Sequence, residues 1–398
     1  MSIQEKSCIT ETKNIGLRGV VVADSTISKV DGEKGVLIYR GYNIKALAQE
    51  STFEEVIHLL LVGELPNKTE LEALQQDLAN CRALPEPVIE TLRTLPREAA
   101  PMDVLQATVP LLAVHDPETG VPTTTEVCRR QAMRLICRLP LLVSAWERLR
   151  TGQEVVAART DLNHAANFLY TMHGEVPDQK RAAIMDTILI LHADHSFNAS
   201  TFTARQIAST RAHLYAAISG AVGSLSGELH GGASEPVFRM LQQISTLDQV
   251  REYVARVLDN GERIMGMGHA VYQVTDPRAE ILGPMAAELA DQAGRPDLYQ
   301  IAEEVRRFTT AEIKRRKGRE IYANVDFFSA IVNSMIGIPV DMFSPVFAVG
   351  RIAGWCAHYL EERFGGAHAK PTLYRPKAEY AGRYCGLEGC TWTPVNER

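Results

Sequence analysis

The chain has 398 residues, 45% of them hydrophobic and 23% charged, enough to bury a large core and, at roughly 150 residues per domain, to form two or three domains. With 42 lysines and arginines against 48 acidic residues, the formal charge is −6, which lacks the positive excess of a nucleic-acid binder. This balance of apolar and charged residues also excludes wholesale disorder.

Residues 19–41 contain two β-branched runs around Asp31-Gly32 and predict a short hairpin or a pair of small strands. Helical periodicity then takes over. Thr52 to Glu55 reads as a capping box opening VIHLLLVG, closed by Gly63 and Pro66, and Thr69 to Glu72 reads as a second box. Residues 115–125, HDPETGVPTTT, are a loop between two helices. The next helix contains Pro140, where a lost backbone donor predicts a kink. Residues 199–227 form a helical stretch rich in Ala, Ser and Gly, whose small side chains let helices approach closely and suit the seam of a bundle core, or else of a subunit interface. With strands confined to one short region the fold class is mainly α. No Pro/Ser-rich linker is present, so a second domain must be inserted rather than tethered.

No apolar run reaches the ~18 residues of a membrane span; the richest, residues 343–355, contains Arg351. The polar start MSIQEKSC lacks the apolar core of a signal peptide, and a cytoplasmic location is expected. Seven cysteines between Cys8 and Cys390, with no CxxC pair, predict reduced thiols in preference to a Cys385–Cys390 bridge.

Three segments set His or Asp beside glycine or a helix start: His230-Gly231-Gly232, Gly266 to His269, and Asn324 to Phe327. Glycine lets a ligand approach the backbone, whereas the plainer reading makes His230 a helix C-terminal cap and Asp326 an N-cap. Arg351 decides between them. Its same-face neighbours on a helix starting near Ser344-Pro345 are Phe347 and Trp355, and a guanidinium in such surroundings needs an anion. Together with Arg278, Arg375 and several histidines it points to a small polycarboxylate, which arginine grips bidentately. His192, Asp194 and His195 offer a metal-binding alternative, disfavoured because the spacing matches no zinc pattern. Lys314 to Arg319, KRRKGR, is either a solvated face or a receiver of phosphate groups.

These blocks resemble the citrate synthase family, including its 2-methylcitrate synthases. The resemblance runs from GLRGVVVADSTIS through FEEVIHLLLVGELP, LHADHSFNASTFTAR, ELHGGASEPV, GMGHAVYQVTDPRAEIL and ANVDFFSAIV to RIAGWCAHYLEE, about residues 16–380. It implies a two-domain helical homodimer with a small N-terminal β-hairpin region. The large domain would be residues 1–231 and 339–398, and the small CoA-binding and catalytic domain residues 232–338. It implies condensation of acetyl-CoA with oxaloacetate and water to citrate and CoA, without metal or other cofactor. The catalytic set would be His230, His269 and Asp326. His195, Arg278 and Arg351 would hold oxaloacetate, with Arg375 reaching over from the partner subunit, and Gly266, Gly268, Lys317, Arg319 and Asn324 would contact CoA. Ser234 stands where the family pattern has Asn, and Ala270 where many bacterial members have Arg. The missing N-terminal β extension of the long hexameric enzymes favours a dimer. HSFNASTFTAR and Ala330 also fit the 2-methylcitrate subfamily, which would use propionyl-CoA. A metal-dependent hydrolase and an inactive helical scaffold are the competing classes.

Overall fold

Sixteen α-helices and one small antiparallel sheet are present among the described residues of the computed structural model, which are 15–17, 19–365, 368, 372–383 and 386–398. The sheet pairs β1 (Ser28–Asp31) with β2 (Val36–Tyr39), and β2 with β3 (Tyr42–Asn43), in register Ser28 to Tyr39 and Ile38 to Asn43. The turn between β1 and β2 presses on a distant loop. The Gln273 N–H donates to the Gly32 carbonyl at 2.8 Å, and a Cβ on Gly32 would lie 2.2 Å from the Val271 carbonyl oxygen, so only glycine fits there.

The helices are α1 (Ile44–Glu50), α2 (Phe53–Val62), α3 (Lys68–Cys81), α4 (Glu86–Thr94), α5 (Pro101–Val114), α6 (Thr125–Arg150), α7 (His164–His173) and α8 (Gln179–His192). After them come α9 (Ala199–Ser209), α10 (Leu214–Leu225), α11 (Ser234–Gln242), α12 (Leu247–Asp259), α13 (Pro277–Gln292), α14 (Pro296–Lys317), α15 (Val325–Met335) and α16 (Phe343–Phe364). Thr52 and Glu55 do form the reciprocal cap of α2, and Gly63 ends it at φ +115°. For α3 the capping pair is Asn67 with Glu70, two residues before the expected Thr69 and Glu72, because Asn67 is the first side chain able to accept from the opening turn. Residues 115–124 do connect two helices. The second of these, α6, runs through Pro140 as one helix, with the Ser144 hydroxyl donating to the Pro140 carbonyl at 2.6 Å.

The single helical stretch expected over residues 199–227 is two helices. Arg211 takes φ +68° and the His213 side chain caps α10, a break that no Gly or Pro announces. The close-packing expectation holds: a Cβ on Gly220 would fall 2.3 Å from Ile207 of the neighbouring α9. At the centre lies α16, packed on α2, α5, α6, α8, α9 and α10, with Trp355 and Tyr359 fully enclosed. Helices α11 to α15 pack chiefly on one another, α12 on α14 and α13 on α14 and α15, and meet the rest through α16 and α1. Among the described residues no helix is long and apolar enough to cross a membrane. Cys81, Cys128, Cys137 and Cys356 are free, but Cys390 is disulfide-bonded, which corrects the reduced-thiol expectation for that residue. Cys8 and Cys385 lie outside the described residues.

Candidate active site

A closed circuit of contacts joins segments that are far apart in sequence. It starts on α16, where Arg351 is 1% exposed and its Nε donates to the His192 carbonyl at 2.5 Å, at the end of α8. Three residues on, His195 Nε2 lies 3.1 Å from the Tyr272 hydroxyl, and its ring centroid is 5.2 Å from that of His269. The loop holding both then enters α13. There Asp276 caps the helix, grips the Arg278 guanidinium at 3.0 and 2.8 Å, and accepts from the Val325 N–H at 3.3 Å. Next to Val325, the Asp326 carboxylate accepts from the Ser234 hydroxyl at 2.6 Å. Four residues before Ser234, His230 Nε2 meets Ser200 at the start of α9, and the Ser200 hydroxyl accepts from Trp355 Nε1 at 3.1 Å, back on α16.

Local chemistry sets each group. Asn324, not Asp326, is the N-cap of α15: its side chain accepts from the Asp326 N–H at 3.0 Å, which leaves the Asp326 carboxylate free. Burial raises the Asp326 carboxyl to about 6, although the Ser234 hydroxyl, Arg278 and Arg351 pull it down. His230 is the residue before a short 3-10 turn, and its Nε2 accepts from the Ser200 backbone N–H at 3.2 Å. The proton of the neutral ring is therefore on Nδ1. In His269 the assignment is reversed, since Nδ1 accepts from the Val271 and Tyr272 N–H groups at 3.0 and 3.1 Å and leaves Nε2–H to donate. Burial, reinforced by Arg351 for one and Arg278 for the other, lowers both imidazoles to about 4, so both are neutral near pH 7. His195 falls well below its usual value for the same reasons. Ser196, directly after it, takes φ +51° and is held by the Asp194 carboxylate at 2.9 Å.

The two arginines form an anion socket. Burial lowers Arg351 to about 10, and its Nη1 has no hydrogen-bond partner among the described residues. Arg278 spends Nε and one Nη2 hydrogen on Asp276 and keeps Nη1 in reserve. A ligand with two carboxylates would satisfy what these side chains leave open.

The glycine loop is stitched to the start of α15. Gly268 N–H donates to the Tyr322 carbonyl at 2.7 Å, and Asn324 Nδ2 donates to the Gly268 carbonyl at 2.9 Å. Gly266 and Gly268 adopt φ +75° and +98°, and a Cβ on Gly266 would strike Phe327. Asn324 thus works as a cap and a tie. In the basic run Lys314, Arg315 and Arg316 are paired with Glu320 and Glu312, whereas Lys317 and Arg319 are exposed and without ion pairs among the described residues. Arg375 is exposed and makes no hydrogen bond or ion pair with any described residue. The metal alternative loses its ligands: His192 Nδ1 bonds the Ile188 carbonyl, and Asp194 bonds Ser28, Ser196 and His358. Ser200, Asp276 and Trp355 belong to the site without having been expected there. Asp276 had a local signal in its Asp-Pro-Arg turn and Trp355 in its place one turn from Arg351, while Ser200 had none.

The family model for the citrate synthase C-terminal domain matches residues 16–377. The chain belongs to the citrate synthase family. It is therefore a transferase-class enzyme with the mainly helical fold that citrate synthases share. It is 41% identical to a citrate synthase of Haloferax volcanii over 387 residues, covering 96% of this chain and 98% of that one. It is 35% identical to a 2-methylcitrate synthase of Shewanella oneidensis over 368 residues, covering 92% and 94%. Among solved structures, the citrate synthase of Thermoplasma acidophilum in ternary complex with carboxymethyl coenzyme A and oxaloacetate superposes with a TM-score of 0.90 at 30% identity, covering 97% of this chain and all of that one.

Proposed function

We propose that this chain condenses acetyl-CoA with oxaloacetate and water to give citrate and CoA. The observation that supports the reading most directly is the pairing of two neutral imidazoles, protonated on opposite ring nitrogens, with a buried basic carboxylate beside an anion socket. Asp326 takes a proton from the acetyl methyl group. His230 donates Nδ1–H to the thioester oxygen as enol character develops, and neutral donors suit this because they need not give up their proton to stabilise charge. His269 donates Nε2–H to the ketone of oxaloacetate, polarising the carbon under attack. His195, Arg278 and Arg351 hold the carboxylates, joined by Arg375 of the second subunit in a homodimer. Lys317 and Arg319, the cations of the basic run without ion pairs, meet the phosphates of CoA, with Gly266 and Gly268 giving the backbone approach and Asn324 holding their loop.

The division into a large part, residues 1–231 and 339–398, and a small part, residues 232–338, fits the mutual packing of α11 to α15. Arg278 and Arg351 lie on opposite sides of that division, so a bound dianion draws the parts together, excluding water until the carbon–carbon bond exists. The chain requires no cofactor beyond its co-substrate, works in the cytoplasm, and has citrate formation for the tricarboxylic acid cycle as its role. The likeness to 2-methylcitrate synthases supports propionyl-CoA as the alternative acyl donor. Thiol release with oxaloacetate and each acyl-CoA tests the reading: kcat/KM is expected to favour acetyl-CoA, a preference for propionyl-CoA reverses the assignment, and release with neither removes the function.

A further inference from the structure

We propose that Cys81 and Cys137, remote from the active site, form a peroxide-reactive dithiol in which Cys81 is oxidised and Cys137 closes a disulfide joining α3 to α6. Cys81 is the last residue of α3, half-buried, with its sulfur at the edge of the core. Cys137 lies in the middle of α6, 1% exposed, and its thiol donates to the Leu78 carbonyl at 3.2 Å, one turn before Cys81. The last turn of α3 is therefore seated on the Cys137 sulfur, close enough that each thiol shifts the titration of the other. One thiol reaches solvent and the other waits behind it, the arrangement of an attacking and a resolving cysteine.

The surroundings separate the two chemically. Arg138 reaches across to donate to the Ala83 carbonyl at 3.0 Å, two residues past Cys81, and Arg134 lies one turn before Arg138 on the same helix. The Cys137 thiol, helped by Arg134 and Arg138, lowers Cys81 to about 7 against burial and Asp77, which push it up. Burial, with Cys81 alongside, keeps Cys137 protonated, well above the usual thiol range. Cys128 and Cys356 are also free but are enclosed and raised by burial, and neither has this arrangement.

The chemistry balances with hydrogen peroxide as oxidant. The Cys81 thiolate attacks one peroxide oxygen, the O–O bond breaks, and hydroxide leaves to become water, leaving Cys81 as sulfenic acid. Cys137 then attacks the Cys81 sulfur, the S–O bond breaks, and the departing hydroxide takes the Cys137 proton. Two thiols and one peroxide give one disulfide and two waters. A dithiol reductant reverses the change.

The test uses the full chain treated with a few equivalents of hydrogen peroxide near neutral pH, then alkylated, digested and mapped by mass spectrometry. A peptide pair linking Cys81 to Cys137, lost on dithiol reduction, is expected. The Cys137→Ser variant should instead trap a dimedone adduct on Cys81, and Cys81→Ser should give neither product. In the untreated wild-type protein, iodoacetamide should modify Cys81 at least about tenfold faster than Cys128 or Cys356. Equal alkylation rates, or oxidation of Cys81 to sulfinic acid with Cys137 still reduced, would overturn the proposal.

Discussion

The Ser234 hydroxyl donates to the Asp326 carboxylate at 2.6 Å, with both side chains buried. Ser234 occupies the position where the family pattern has Asn, and the contact gives that departure a physical meaning: a single hydroxyl both aims the carboxylate and tempers its basicity. Burial raises the carboxyl while this donor lowers it, so the two effects together place the base about a unit below neutrality.

Loss of the donor should therefore be visible in the pH profile. A general base works only when ionised, so with Asp326 in the proposed role activity should fall as pH drops through about 6. Ser234→Ala removes a group that favours the ionised form, and the acid limb of kcat/KM should move up by about one pH unit, since a hydrogen bond to a charged group contributes ~1.5 kcal/mol or more. Ser234→Asn, which restores a donor, should bring the limb back down. An unmoved limb in the alanine variant would separate Ser234 from the base.

Removing the base itself should abolish turnover without abolishing binding. Asp326→Ala is expected to keep less than about a hundredth of the wild-type condensation rate, because positioned bases contribute ~10²–10⁴-fold. Oxaloacetate affinity, measured by calorimetry, should stay close to wild type. A variant rate above that level would take the general-base role from Asp326.

Arg351 should show a conflict between stability and function. Its guanidinium is enclosed, its Nη1 has no partner among the described residues, and burial lowers it to about 10, so it costs stability until an anion arrives. Arg351→Met is expected to melt no lower than wild type without ligand, yet to lose about 100-fold in kcat/KM for oxaloacetate, ~2.7 kcal/mol. Melting curves with and without oxaloacetate check both halves, and a large loss of Tm without ligand would contradict the first.

Closure should follow oxaloacetate rather than acyl-CoA. In the proposed reading the dianion bridges Arg278 and Arg351, and a ligand that prefers the closed form shifts the population toward it. Limited proteolysis should slow when oxaloacetate is added and change little with CoA alone. Identical digestion in both conditions would argue against a hinge between residues 231 and 232.

Shared sites predict complementation between two inactive variants. In the proposed homodimer, Arg375→Ala removes the reaching cation from both sites and Asp326→Ala removes the base from both. In the mixed dimer one site has an intact Asp326 and the partner's intact arginine. Statistical exchange makes about half the dimers mixed, so activity should recover toward about a quarter of wild type. Recovery is absent if Arg375 serves its own chain.

Short-range features of this molecule were decided by its sequence alone. The α2 cap needs only Thr52 and Glu55, the His269 tautomer needs only the N–H groups two and three residues on, and Arg351 announces its need for an anion through Phe347 and Trp355 on its own helix. Such contacts close within one or two helical turns, so the local order of residues is enough to specify them. The break at Arg211 and the shift of the α3 cap to Asn67 show the limit even at short range, since several polar residues compete for each helix end. Other decisions belong to the tertiary structure. The Ser200 backbone N–H fixes the His230 tautomer from 30 residues away, Ser234 aims Asp326 across 92, and the His192 carbonyl orients Arg351 across 159. Nothing in the neighbourhood of these residues selects those partners. Only the packing of α8, α9 and α11 on α16, with α15 packed on α11, brings the partners within hydrogen-bond reach, and the same burial moves Asp326 up and the two imidazoles down.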